Sequence, residues 1–370
     1  MISNIKIKNL FQIKNLIIFS IILGIIKFIE QIIKGKYFHD FDVYSNAIKV
    51  LENSGNPYSN IIDLPYLYPP IISKLLETSN QSIFSLFYLF IYITIIFIVY
   101  IISDKNFKIS LLISLGVSGI LVKSLLTGNI SNIFYFLIIF SIFFYYKKNN
   151  FLPYYITVFF MSMIKFNFII LFLLPIIVNQ NKGREFLKLT VLLSILALVY
   201  IYQYLFMNAQ FLDFINTLKF YNLVGIGDRG NSIFVFFNYR LELNLFISAF
   251  IHLGIFTCLL FILINKRSEI DPKFFLLSIL ILLIFINPRL KLYDIAFGIV
   301  FLNLAILYLD KKTIINFFIF NLIIILFIKE ISKYFDIMLG DPYMLAWYIF
   351  IFFFYIVFKK YRIINFGKLT

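Results

Sequence analysis

The sequence has little of the charge that a water-soluble domain needs. Charged residues make up 14% of its 370 residues and hydrophobic residues make up 62%, with a mean hydropathy of +0.94. Soluble globular domains are about one-quarter charged and about one-half apolar. Because so little polar surface is present, the composition excludes a water-soluble globular protein and indicates that the chain folds in a lipid bilayer.

Cysteine and histidine are also scarce. Cys258 is the only cysteine, which excludes an intrachain disulfide, and it lies in an apolar run. His39 and His252 are far apart and lack the neighbouring cysteines of a structural zinc or haem site. We therefore expect neither a tightly bound metal nor a cofactor.

Long apolar runs dominate the sequence instead. A membrane-spanning helix needs about 20 mostly apolar residues, so the runs predict an all-α polytopic membrane protein with about twelve spans. Several runs are short, which indicates broken or re-entrant helices. Residues 1–370 are predicted to form a single integral membrane domain. The predicted spans are about 15–33, 82–103, 109–123, 129–146, 152–165, 168–179, 188–207, 244–264, 274–287, 292–309, 313–329 and 344–358.

Basic residues orient these predicted spans. Nineteen of the 33 Lys and Arg residues fall in short segments on one side of the membrane when both termini are placed inside. This distribution obeys the positive-inside rule and predicts a multi-pass protein of the cytoplasmic membrane with both termini in the cytoplasm. The net charge of +15 therefore does not indicate a nucleic-acid partner.

The predicted outer face carries the two longest polar stretches and an unexpected set of basic residues. The stretches are residues 34–81, after the first span, and 208–243, after the seventh. Snorkelling to the interface is one explanation for each lysine. The other is contact with the phosphate of an anionic lipid, because ionisable residues at membrane depth are functional candidates. The candidates for this phosphate site are Lys123, Lys165, Arg229, Arg240, Arg289 and Lys291.

The first outer stretch contains two aspartates at the start of a predicted helix. Asp40 and Asp42 precede apolar periodicity that predicts a helix from Val43 to Leu51. A carboxylate in this position is explained either by helix capping or by a role as general base near the membrane surface.

Turn signals and tyrosines follow in the same stretch. Gly55-Asn56-Pro57-Tyr58 is typical of a turn, and Tyr68-Pro69-Pro70 is typical of an extended segment that leads into a helix. The tyrosines Tyr44, Tyr58 and Tyr68 are explained either by an interfacial aromatic belt or by stacking against a sugar.

Asp294 is the remaining acidic candidate. It follows Asn287-Pro288-Arg289-Leu290-Lys291 near the predicted outer start of a span. The nearby Arg289 and Lys291 favour structural pairing over catalysis, because these charges are close neighbours in the sequence.

In combination these residues resemble glycosyltransferase family 87, a family of integral membrane enzymes of the GT-C class. The chain departs from the family pattern at Phe166, where proline is usual, and at Asn129, where glutamine is usual. The late motif has Arg and Lys where relatives carry an aromatic residue or His. The similarity covers residues 40–294 through Asp40 to Tyr44, Ala47, Gly55 to Tyr58, Tyr68-Pro69-Pro70, Gly128-Asn129, Lys165, Arg229 to Ser232, Arg240 and Pro288 to Tyr293.

The resemblance implies a GT-C fold and inverting transfer of a hexose, typically mannose, from a polyprenyl-phosphate sugar to a glycan or glycolipid acceptor. The active site would face outward, and the partners would be the donor, the acceptor and membrane lipids. The resemblance implies Asp40 as the catalytic base. The implied substrate contacts are Asp42, Tyr44, Tyr58, Tyr68, Asn129 and Asp294.

Two alternative functions compete with this interpretation. A transporter or flippase of a lipid-linked or anionic glycan would also need many spans and outer basic residues. However, the sequence shows no convincing inverted repeat, and its polar residues gather at one face of the membrane. A polymerase or ligase of surface polysaccharide would use the same class of donor.

Asp40 and Asp42 also have the form of a two-carboxylate metal site, but the sequence offers no third ligand at fixed spacing.

Overall fold

A computed structural model describes residues 39–53, 55–59, 66–72, 81–102, 120–224, 232–323 and 342–361, together with Ile22, Ile26 and Ile33. Within these ranges the protein is all-helical and has no β-strand, which confirms the predicted α class for this part of the chain. The longer helices are α1 (His39–Glu52), α2 (Gln81–Ile102), α3 (Ser131–Lys148), α4 (Leu152–Ile164), α5 (Lys182–Phe206), α6 (Asn208–Val224), α7 (Leu245–Asn265), α8 (Pro272–Phe285), α9 (Leu292–Ile306), α10 (Lys311–Ile323) and α11 (Pro342–Lys360).

The helices coincide closely with the predicted apolar runs. The runs 82–103, 152–165 and 244–264 match α2, α4 and α7 to within one residue at each end. The predicted run 168–179 is broken, because a 3-10 helix over Phe166–Phe172 leads into a short α-helix over Leu173–Val178. The predicted span 15–33, apart from three residues, and most of 109–123 lie outside the described residues.

Among the described residues, α5 and α7 are long and apolar enough to cross a membrane by length and composition. Both expose large apolar side chains, including Phe206 on α5 at 72% and Phe246 and Phe250 on α7 at 79% and 80%. Extensive apolar exposure is unusual in water and is typical of a surface that meets lipid or a partner. These helices support membrane association, whereas the number of spans stays a prediction.

The chain divides into two compact units. The first unit holds the described parts of Ile32–Tyr88 and Leu125–Gly230, and the second holds those of Met1–Gln31, Leu89–Ser124 and Asn231–Thr370. The prediction of one integral membrane domain concerns both units together and stays a prediction.

The second unit is built around two helices that are buried on all sides. Every residue from Phe274 to Phe285 on α8 and from Asp294 to Ile306 on α9 is buried. A Cβ atom on Gly298 would lie 2.5 Å from Cε2 of Phe285, so glycine permits the close packing of α8 on α9. A helix that is apolar all round occurs in the core of a large or membrane protein.

In the first unit, a buried carboxylate fixes the start of α5. Glu185 accepts hydrogen bonds from the Tyr155 hydroxyl at 2.8 Å, the Asn179 amide at 3.1 Å and the Lys188 ammonium at 2.8 Å. Each contact satisfies a lone pair of a side chain that is almost completely buried. The result ties α4 to the chain that enters α5.

Candidate active site

The candidate site begins at the first turn of α1. This helix starts at His39, carries Asp40 and Asp42 in its first turn and has Lys49 in its last turn. These charges complement the helix dipole at both ends. The helix predicted from Val43 to Leu51 is therefore confirmed, with an additional turn at its start.

A tight turn faces the start of α1. We call residues 127–131 the Asn129 turn. Gly128 has a φ of 75°, in the left-handed region that favours glycine. The Asn129 backbone N–H donates to Thr127 Oγ1 at 3.2 Å, and the Ser131 N–H donates to Asn129 Oδ1 at 3.0 Å. The turn therefore holds the buried Asn129 side chain in one orientation.

Asp40 docks on the Asn129 turn through two hydrogen bonds. Its backbone N–H donates to the Thr127 carbonyl at 3.0 Å, and Asn129 Nδ2 donates to Asp40 Oδ2 at 2.8 Å. Asp40 Oδ1 lies 3.6 Å from His39 Nε2, and the Asp40 side chain is 25% exposed. A carboxylate that is oriented on one oxygen and still reachable from solvent has the geometry that a general base requires.

Lys165 meets the other end of the Asn129 amide. It lies in extended backbone between α4 and the 3-10 helix. Its Nζ donates to Asn129 Oδ1 at 3.2 Å and to Ser131 Oγ at 3.0 Å, and it lies 5.4 Å from the centre of the Tyr68 ring. Asn129 thus joins the ammonium of Lys165 to the carboxylate of Asp40 through charge-assisted hydrogen bonds.

Three predicted tyrosines pack behind the Asn129 turn. The Tyr44 hydroxyl lies 2.9 Å from the Tyr68 hydroxyl and accepts the Ile130 N–H at 3.2 Å, and the Tyr58 hydroxyl donates to the Tyr68 carbonyl at 2.7 Å. Burial raises the pKa of all three phenols, so they stay neutral. Their burial places all three in the packing around the Asn129 turn.

The two long polar stretches meet in the first unit. The predicted turn at Asn56 is present, and Asn56 Nδ2 donates to Asp213 Oδ2 on α6 at 2.7 Å. The Ile71 N–H donates to Gln203 Oε1 near the end of α5 at 3.2 Å. The sequence reasoning missed Asp213 and Gln203. The usable signals were a single carboxylate within 208–224 and a glutamine within an apolar run.

The structure brings six of the predicted site residues together. Asp42 is exposed on α1, and Lys123 is exposed on the helical residues 120–125. Arg229 lies outside the described residues, and only the backbone of Arg240 is described, at the end of a π-helical turn. The six that assemble are Asp40, Tyr44, Tyr58, Tyr68, Asn129 and Lys165.

Arg289, Lys291 and Asp294 belong to the second unit. Asp294 is completely buried. Its Oδ2 accepts the backbone N–H of Lys291 at 2.9 Å and the side-chain amide of Asn287 at 3.3 Å. These contacts are those of a helix-capping carboxylate, whereas the predicted pairing of Asp294 with the charge of Arg289 or Lys291 stays a prediction.

Within the described ranges, no three His, Cys, Asp or Glu side chains converge as metal ligands would. Ser131 and Thr127 join the site although the sequence reasoning did not single them out as candidates. Their signal was a short run of polar residues around Gly128 in an otherwise apolar chain.

No family model, no curated protein and no solved structure matches this chain.

Proposed function

We propose that this protein is an inverting glycosyltransferase of the cytoplasmic membrane. It moves a hexose, mannose in the first instance, from a polyprenyl-phosphate sugar to a hydroxyl of a glycan or glycolipid acceptor at the outer face. One observation carries the proposal. Asp40 is a partly exposed carboxylate at a helix start, and its orientation is set by Asn129, which in turn contacts Lys165.

In the proposed reaction, Asp40 takes the proton of the acceptor hydroxyl. The acceptor oxygen forms the new bond to the anomeric carbon from the face opposite the phosphate. The bond between this carbon and the phosphate oxygen breaks, and its electron pair leaves with the polyprenyl phosphate. Basic residues of the predicted outer face stabilise the charge that develops on this leaving group. A positioned general base contributes about 10²–10⁴-fold in rate.

The proposed topology has about twelve spans, with both termini in the cytoplasm and α1 outside. Supporting observations are the match between apolar runs and helices and the apolar exposure of α5 and α7. Because Cys258 is the only cysteine, a Cys258→Ser background allows single cysteines to report topology. Glu52→Cys should react with a membrane-impermeant maleimide from outside the cell, and Lys148→Cys should react only after permeabilisation. The reverse pattern would overturn the topology.

The activity is tested with purified protein in lipid vesicles and a panel of polyprenyl-phosphate sugars. Wild-type protein should transfer one of these sugars with inversion at the anomeric carbon, which NMR of the product detects. Asp40→Asn should lose about 10²–10⁴-fold of the rate, whereas Glu52→Gln, at an exposed acid on the same helix, should match wild type. Movement of an intact lipid-linked glycan across the vesicle without transfer would instead establish the flippase alternative.

A further inference from the structure

We infer that Asn129 and Lys165 are positioning residues for Asp40 rather than contacts for the sugar or the lipid phosphate. This inference rests on the proposed function, because it concerns how the base of that reaction is held. It reassigns two residues for which the resemblance and the sequence implied direct substrate contact.

The hydrogen-bonding capacity of the Asn129 side chain is filled. Its Nδ2 donates to Asp40 Oδ2 at 2.8 Å and approaches the Tyr68 hydroxyl at 3.5 Å. Its Oδ1 accepts the Ser131 N–H at 3.0 Å and the Lys165 ammonium at 3.2 Å. An amide offers two donor hydrogens and two acceptor lone pairs. Since Asn129 is also buried, at 4% exposure, no polar edge is left for a sugar hydroxyl.

The partners of the Asn129 amide determine which of its ends faces Asp40. The two ends of an asparagine amide have nearly the same shape, so a half-turn would present Oδ1 to the carboxylate and repel it. Lys165 Nζ and the Ser131 N–H are both donors and both lie at the oxygen end. They select the orientation in which Nδ2 donates to Asp40.

Two hydrogen bonds of the Lys165 ammonium go to the Asn129 turn. Nζ donates to Asn129 Oδ1 and Ser131 Oγ and lies 5.4 Å from the centre of the Tyr68 ring. An ammonium carries three donors, and two of them serve this turn. Its positive charge polarises the Asn129 amide and strengthens the bond from Nδ2 to Asp40.

Changes in kcat and in the donor KM distinguish a positioning role of Lys165 from a role in substrate binding. If Lys165 positions the base, Lys165→Met should lower kcat by about 10–100-fold and leave the donor KM within about twofold. Lys165→Arg, which keeps the charge and the donors, should recover most of the rate. A large rise in donor KM with unchanged kcat would overturn the inference and assign Lys165 to the phosphate. Lys49→Met, at an exposed lysine of α1, is the matched control.

Asn129→Asp provides a second readout through the pH–rate profile. The titratable groups recorded around Asp40 are His39, Tyr44, Tyr68 and Tyr88, with Lys165 reaching it through Asn129. A second carboxylate at position 129 removes a donor and adds negative charge, so the acid limb should move to higher pH by about 1 unit. An unmoved acid limb would show that residue 129 does not act on the base.

A double-mutant cycle measured by thermal unfolding tests the same coupling without an activity assay. If Asn129 transmits the effect of Lys165 to Asp40, the midpoint shifts of Asp40→Ala and Lys165→Met should not add in the double variant. Additive shifts would overturn the inference. If the wild-type protein transfers no sugar from any donor, the proposed function fails alone, and this cycle still decides the role of Asn129 and Lys165.

Discussion

Asp40 and Asp294 both lie in the first turn of a helix, and both accept a hydrogen bond from an asparagine side chain. Their surroundings differ. Asp294 is completely buried, and its partner Asn287 is seven residues away in the sequence. Asp40 is 25% exposed, and its partner Asn129 is 89 residues away.

The difference between these aspartates separates a structural carboxylate from a candidate catalytic one. A partner within the same turn is what helix capping requires, and Asp294 meets that requirement with the Lys291 N–H. A partner from a distant segment orders two separate elements around one group, which capping does not need. Partial exposure then leaves the ordered carboxylate of Asp40 able to meet a substrate.

The largest expected effect on stability comes from Asp294→Ala. It removes a cap of α9 and leaves the Lys291 N–H and the buried Asn287 amide without this acceptor. We expect a loss of about 3 kcal/mol in the free energy of unfolding, measured by denaturant titration in mixed micelles. Asp294→Asn keeps the shape and one acceptor oxygen and should lose less. A loss below about 1 kcal/mol for Asp294→Ala would show that Asp294 is not a structural carboxylate of the kind contrasted with Asp40.

Gly128→Ala should have the next largest effect. A Cβ atom in the left-handed conformation at φ 75° costs about 1–2 kcal/mol. Relief of this strain would displace Asn129, so the transfer rate should fall further than the loss of folded protein explains. Gly183→Ala is the matched control because a Cβ there meets nothing within 4 Å, and it should be neutral or slightly stabilising. Equal behaviour of the two variants would contradict the role of the turn.

Asp40→Ala should cost little stability although it removes the proposed base. It deletes the hydrogen bond that the Asn129 amide donates. Because the Asp40 side chain is 25% exposed, water can take the place of its carboxylate and accept this bond, so we expect a loss of about 1 kcal/mol or less. The same micelle titration measures this loss. If Asp40→Ala destabilised the protein as much as Asp294→Ala, Asp40 would be a structural residue.

Asp310 is an exposed aspartate at a helix start, and its substitution should have the smallest effect on stability of the three aspartates compared. The Thr313 backbone N–H, followed by its hydroxyl, lowers the pKa of the Asp310 carboxyl below its ordinary value. Because the folded-state pKa is the lower one, the stabilisation is present above the ordinary pKa and is lost as pH falls through the folded value. Thermal midpoints of wild type and Asp310→Asn should therefore differ slightly at neutral pH and converge in acid. A difference that grew in acid would contradict this sign.

The helices could be predicted from the sequence because apolar runs end at Gly, Asn and Lys residues, as at the start of α3 and the end of α7. The helix α6 in the 208–243 stretch was harder to predict, because the polar composition of this stretch does not indicate a helix. The turn at Asn56 and the helix start at Pro70 also carried their own local signals. By contrast, the pairing of Asp40 with Asn129 and of Asn56 with Asp213 depends on long-range folding. No local pattern in one sequence specifies which distant amide meets which carboxylate.

The role of Asp40 as the base is decided by the rate of sugar transfer by Asp40→Asn and Glu52→Gln in vesicles of the same composition, with the donor that wild type uses. We expect Asp40→Asn to lose about 10²–10⁴-fold in kcat, while its thermal midpoint and that of Glu52→Gln stay close to wild type. Transfer by folded Asp40→Asn at the wild-type rate would contradict the assignment of Asp40 as the base.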